Sequence, residues 1–234
     1  MVLFLGSGEL TLEIAQAVGP TGSVLGLDAS ADMIDKARAL LSTTNSTSLA
    51  PLEFAVQDGH TPPVASQQGK FDKVFSNAAL HWMKQSPSLV VSHMYALLRP
   101  GGRLAAELGG FMNCVGVRSH LHLALRKRGI DPTLYDPWFF PSAEEYTALL
   151  EAAGFKVESC MLVPRPTPLP RETGLRGWLK TFAGPFLNAM DNEDDKAKVV
   201  QEVEEALRPD CYDAQSGTWS VMYVRLRVLA HKSQ

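Results

Sequence analysis

At 234 residues, with 45% apolar and 20% charged side chains, the chain is long enough for one sizeable domain and has an ordinary globular composition. A formal net charge of -3 excludes the strongly basic face that nucleic acid demands; the one basic cluster, Arg126-Lys127-Arg128, falls at a predicted helix end, where cations suit the helix dipole. Three scattered cysteines, Cys114, Cys160 and Cys211, offer neither a disulfide framework nor metal-ligand spacing, and no apolar run nears the roughly 20 residues that span a bilayer. The expectation is a cytoplasmic protein in a reducing compartment, with no metal, nucleic acid or membrane partner.

In chain order, an apolar run at 2–5 leads through "GSGE" into a helical pattern at 9–18. Strand patterns follow at 23–27, 52–56, 73–75 and 103–107, with helical patterns at 31–41 and 86–98 between them and "RPGG" as a helix stop. Apolar strands alternating with helices predict parallel pairing with helices on both faces. Right-handed crossovers then wind the sheet doubly. After residue 109 come a helix at about 114–128, the aromatic loop "LYDPWFF", and a capping box at Ser142-Ala143-Glu144-Glu145 opening a helix that closes at Gly154. "FKVESCMLV" reads as a strand, 172–208 as helical, and the alternating "TWSVMYVRLRVLA" as a last strand joining the sheet antiparallel at its edge. The expected fold is therefore α/β: a doubly wound, mostly parallel, seven-stranded Rossmann-like sheet with an antiparallel C-terminal edge strand and a helical insertion. Residues 1–234 form one expected domain, with a cofactor half at 1–108 and a substrate half at 109–234.

In such a sheet, ligands bind beyond the carboxyl ends of the strands. The first strand exits into Gly6-Ser7-Gly8, where glycines let backbone N–H groups approach a ligand. The second exits at "GLDAS": Asp28, with Ala29 beside it and about 20 residues past the glycines, suits a ribose diol. An N-cap role for Asp28 is the alternative, although Ser30 is better placed for it. The third exits at "VQDGH", where Asp58, beside Gly59, is a candidate acceptor for an exocyclic amine or a plain turn residue. The fourth exits at "VFSNAALHWM", with Asn77, His81 and Trp82 facing whatever the cofactor presents. His81 is open to reading as a base, a substrate donor or a packed histidine.

"GSGELTLEIA", "GLDASADMIDKAR", "VQDGH", "FSNAALHW" and "LLRPGGRLAAEL" resemble, in order, the motif series of class I S-adenosylmethionine-dependent methyltransferases. The resemblance covers nearly the whole chain. Within that superfamily, "FFPSAEEYTALLEAAGF" and "GLRGWLKTFAGPFL" are most similar to the trans-aconitate methyltransferase type. It implies S-adenosyl-L-methionine as cofactor, held by Gly6, Ser7, Gly8, Asp28, Ala29, Asp58, Gly59 and Asn77, and a small organic acid as methyl acceptor. The acid's expected partners are His81, Trp82, Arg118, His120, Trp138 and Trp178. His122, two residues from His120, cannot share its helix face. An ionised carboxylate needs no general base, so no catalytic residue beyond positioning groups is expected. The sequence departs from the family pattern at Phe4, where an acidic residue is usual, in a shorter glycine loop, and in beginning at the first strand rather than with a helical cap. A degenerate or truncated relative that binds the cofactor weakly is the alternative reading. A hydride-transferring dehydrogenase shares the glycine and carboxylate logic, but "SNAALHW" and the final strand count against it.

Overall fold

The structure is a computed structural model that describes residues 8–43 and 49–234, with the backbone of Val2–Phe4. Its strands are β1 (Val2–Phe4), β2 (Val24–Asp28), β3 (Leu52–Val56), β4 (Phe71–Asn77), β5 (Leu98–Gly109), β6 (Phe155–Pro168), β7 (Tyr212–Asp213) and β8 (Thr218–Lys232). Its helices are α1 (Glu9–Val18), α2 (Ala31–Ser42), α3 (Pro87–Leu97), α4 (Val115–Arg126), α5 (Ala143–Ala152), α6 (Gly174–Phe182), α7 (Gly184–Leu187) and α8 (Glu193–Cys211). Two compact units result. One comprises Met1–Phe111, Phe139–Leu162 and Leu226–Gln234; the other comprises Met112–Trp138 and Val163–Arg225.

In the first unit, β3-β2-β1-β4-β5 lie side by side, and every pair among them is parallel. The order continues through β8 to β6. The C-terminal strand runs against β5, because Gly101 meets Ser233 while Glu107 meets Arg227 farther along. Three expectations are corrected here. The sheet is mixed rather than mostly parallel, eight strands replace seven because the two-residue β7 pairs antiparallel with β8, and the C-terminal strand is interior, with β6 outside it. Strand β5 also begins at Leu98 and runs through "RPGG", with Gly101 at φ 77° and a register shift against β4 between Phe71 and Lys73. Helix α3 ends at Leu97, where that stop signal places it, and the strand follows directly.

Period-two alternation separates the layers. Leu25 and Leu27 of β2 pack with Val74, Leu104, Ala106, α3 (Val90, Met94) and α5 (Tyr146, Leu150). Val24 points the other way, onto Ala15 of α1 and Ile34 of α2. Helix α1 starts at Gly8, whose φ is 101° and where a Cβ would lie 2.9 Å from the Ala37 Cβ. Both the left-handed backbone and the closeness of α2 therefore require glycine.

The second unit packs α4 and α6 on α8. Arg128 grips Glu202 through both terminal nitrogens, at 3.1 and 2.6 Å. Asp136, with 2% of its side chain exposed, accepts from Arg118 Nε at 2.7 Å, His122 Nε2 at 2.8 Å and the Trp138 N–H at 3.0 Å. Arg118 and His122, four apart, share one face of α4 and tie it to the loop that follows.

Two outcomes test this packing. Gly8→Ala should lower stability by about 2 kcal/mol in chemical denaturation, from the strained φ plus the Ala37 contact. Asp136→Ala should cost about 2 kcal/mol, because it removes the partner of the half-buried Arg118, of His122 and of the buried Trp138 N–H, whereas the surface variant Glu193→Ala should change stability by less than about 0.5 kcal/mol.

Candidate functional site

The strand register sets the candidate groups out along one edge of the first unit. Phe4 of β1 stands opposite Leu27 of β2 and Ser76 of β4, so Asp28 and Asn77 each lie one residue beyond it. Asp28 pairs with Val56 of β3, and the Gln57 N–H donates to the Asp28 carbonyl at 2.8 Å. Asp58 follows directly. All three strand exits thus open at the carboxyl edge, the side on which a doubly wound sheet receives ligands.

Asp28 is half-buried, and one carboxylate oxygen accepts the Ser30 N–H at 2.8 Å. Burial pushes its carboxyl above the usual range, against the lowering effect of that bond. The helix cap belongs to Ser30, whose hydroxyl accepts from the Met33 N–H. Asp28 is therefore released from capping, and its second oxygen has no hydrogen-bond partner among the described residues. A half-buried carboxylate oxygen without a donor is costly, and hydroxyl donors relieve it.

Asp58 is exposed. One of its oxygens accepts both the His60 N–H at 2.9 Å and His60 Nδ1 at 2.8 Å; the N–H foremost, then the ring, hold the carboxyl below the usual range, partly offset by burial. Its other oxygen is likewise without a partner among the described residues. Gly59 is buried, and its carbonyl accepts from His93 Nδ1 on α3 at 2.9 Å. Ala29 and Asn77 are exposed. Directly after Asn77, Ala78 adopts φ 56°, pinned by its N–H to the Glu107 carbonyl at 2.8 Å. A left-handed alanine costs about 1–2 kcal/mol, and strain of that kind gathers at ligand sites. Gly8 caps α1, while Gly6 and Ser7 lie outside the described residues.

His81 and Trp82 occupy a single 3-10 turn, Leu80–Trp82. His81 is 7% exposed, between the rings of Trp82 at 5.5 Å and Phe140 at 5.9 Å. The Gly109 N–H donates to His81 Nδ1 at 3.2 Å, and the His81 carbonyl accepts the Phe139 N–H at 2.8 Å. A backbone N–H can only donate, so Nδ1 is the acceptor and the ring proton sits on Nε2. The imidazole is thereby a neutral donor. Trp82 is 40% exposed beside it.

The remaining expected acid-binding residues belong to the second unit, and there they do structural work. Arg118 holds Asp136, and the His120 ring bonds the Gly116 carbonyl one turn earlier in its own helix. His122, rather than His120, faces Asp136. Trp138 and Trp178, expected as walls, are 3% and 7% exposed in a chain of rings with Phe182 and Phe186. The Trp178 indole N–H donates to the Tyr223 hydroxyl. Sequence reasoning passed over Gly109, Phe140, His60 and His93. Of these, only His60 left a signal, since "DGH" is an aspartate two residues before a potential donor, the pattern of an Asx turn.

Two carboxylates on adjacent strand ends, each with an oxygen open to donors, fit an adenosine, which offers two ribose hydroxyls and an exocyclic amine. Among the described residues no group of three His, Cys, Asp or Glu could hold a metal ion, and no helix is long and apolar enough to cross a membrane.

The chain is similar to known methyltransferases. A family described as "Methyltransferase domain" matches residues 3–102. An uncharacterized methyltransferase of Schizosaccharomyces pombe is 37% identical over 235 residues, covering 97% of this chain and 84% of the relative. A trans-aconitate 2-methyltransferase of Deinococcus radiodurans is 31% identical over 201 residues, 81% of this chain and 70% of the relative. The structure of a SAM-dependent methyltransferase from Methanosarcina mazei superposes with a TM-score of 0.60 at 13% identity, covering 99% of this chain and 91% of that one. The chain belongs to the class I S-adenosylmethionine-dependent methyltransferases, and S-adenosylmethionine is its cofactor.

Proposed function

We propose that this methyltransferase esterifies a carboxylate of a small organic acid. The observation that carries the reading is the fixed tautomer of His81, whose Nδ1 accepts the Gly109 N–H and whose proton therefore sits on Nε2. Such a ring donates a hydrogen bond and is poorly set to remove a proton. A carboxylate wants that donor and needs no base, being ionised at neutral pH. Trans-aconitate 2-methyltransferases of Deinococcus radiodurans and Streptomyces avermitilis, both 31% identical, lend the reading further support.

When bound, the cofactor supplies a sulfonium-activated methyl group. The chain's part is then positional: Asp28 takes the ribose hydroxyls, Asp58 the adenine amine, and Gly8, Ala29, Gly59 and Asn77 the remaining contour. His81 orients the acid through Nε2–H, and Trp82 shields the reacting oxygen from water. A carboxylate oxygen gains the methyl, the C–S electron pair stays on sulfur, and no proton moves.

The assay is transfer of isotopically labelled methyl to a panel of mono-, di- and tricarboxylic acids, followed by mild alkali. A methyl ester releases labelled methanol, whereas N- or S-methyl products do not; alkali-stable label alone would overturn the proposal. The rate should stay flat from about pH 6 to 9, since the acceptor is already ionised and His81 serves as a donor. His81→Ala should raise the KM for the acid about tenfold while leaving S-adenosylhomocysteine affinity unchanged, and His81→Gln, which keeps both an acceptor and a donor, should recover much of the loss. Asp28→Ala should weaken S-adenosylhomocysteine binding in calorimetry by about 1–3 kcal/mol; unchanged affinity would remove Asp28 from the ribose.

A further inference from the structure

The turn after β3 is held more tightly than a loop carrying one exposed carboxylate requires. Its Thr61 N–H donates to the Asp58 carbonyl at 2.9 Å, and the His60 N–H closes an Asx turn onto the Asp58 side chain at 2.9 Å. Two imidazoles add to this. His60 Nδ1 reaches the same carboxylate oxygen at 2.8 Å, and His93, on α3, reaches the Gly59 carbonyl at 2.9 Å. A carboxylate and a carbonyl both accept, so each imidazole donates from Nδ1.

The placement of His60 is selective. Its side chain is 23% exposed while that of Asp58 is 54% exposed, so the ring is the more buried member of the pair. Its other nitrogen, Nε2, is buried with no hydrogen-bond partner among the described residues. The polar anchor of that ring among the described residues is therefore Asp58 itself. Both His60 donors converge on one oxygen, which fixes the carboxylate plane and leaves the second oxygen open. His93 acts one residue away, tethering the backbone of the turn to a helix of the parallel core. Without these bonds an exposed aspartate samples several rotamers, and a ligand must order it on binding.

We propose that His60 and His93 are positioning residues for adenine recognition, presenting the second oxygen of Asp58 to the exocyclic amine of the cofactor. This rests on the assignment of Asp58 to that amine. Neither ring touches the reacting atoms, so the effect belongs in cofactor selectivity rather than in turnover.

The experiment is calorimetric titration of the whole chain with S-adenosylhomocysteine and with its analogue carrying hydrogen in place of the 6-amino group. The readout is the ratio of the two affinities, which does not depend on the fraction of folded protein. The native chain should favour the amine by about tenfold, the size of one charge-assisted hydrogen bond. Asp58→Ala should bring the ratio to near unity. His60→Ala should lower it to within about threefold of unity, and His60→Asn, whose amide can reach the same oxygen, should restore most of it. His93→Ala should lower it to an intermediate value. If Asp58→Ala leaves the ratio unchanged, the assignment of Asp58 itself is wrong. If Asp58→Ala abolishes the ratio while the His60 and His93 variants keep it, the positioning role falls and the assignment stands.

Discussion

The candidate site depends on one constraint, the register of the parallel strands. Asp28 and Asn77 lie level because Phe4 is paired with Leu27 on one side and with Ser76 on the other, and Asp58 joins them because β3 is in step with β2. A slip of one residue in β2 would move Asp28 by about 3.3 Å and turn its side chain to the opposite face. The slip is blocked by packing: it would expel Leu25 and Leu27 from the layer under α3 and drive Val24 out of the layer under α1 and α2. The polar edge that can receive an adenosine is in this sense a product of two apolar layers buried on opposite faces. Gly8 adds a local requirement, because α1 can start beside the edge only if nothing larger than hydrogen meets Ala37.

The elements that could be read from the sequence are those whose signals are local. Helix α1 over Glu9–Val18 and strand β3 over Leu52–Val56 begin and end where periodicity places them, and Ser30 and Ser142 cap their helices as their spacing indicates. Asp28 was legible because its position combines a strand end with a helix cap already filled by a neighbour. Signals that depend on distant partners were not legible. "RPGG" reads as a stop and α3 does end before it, but its membership of β5, paired to β4 through a register shift, was not visible. The last strand reads as an edge, yet β6 adds outside it. Arg118 looks available until Asp136, eighteen residues later, takes its Nε, and Trp138 and Trp178 look like site walls until Phe182 and Phe186 close around them. In a single sequence, an arginine or tryptophan destined for a buried cluster is identical to one destined for a ligand.

The histidines make the functional argument sharper. The imidazoles of His81, His60 and His93 each have their Nδ1 role fixed by a partner that can act in one way only. His81 accepts from an N–H, His60 donates to a carboxylate, and His93 donates to a carbonyl. His60, like His231 with Glu158, has the carboxylate pairing that elsewhere turns an imidazole into a strong base, but its lone-pair nitrogen is buried, with no partner among the described residues. His81, the ring beside the exposed Trp82, is instead held with its proton outward from the Gly109 contact. An edge with two oxygen-presenting carboxylates and a fixed imidazole N–H donor suits a transfer in which the nucleophile arrives already ionised. The same arrangement would serve poorly for an alcohol or an amine, which must lose a proton before or after attack. The tautomer imposed by one backbone N–H thus links the packing of β5 to the proposed carboxylate acceptor.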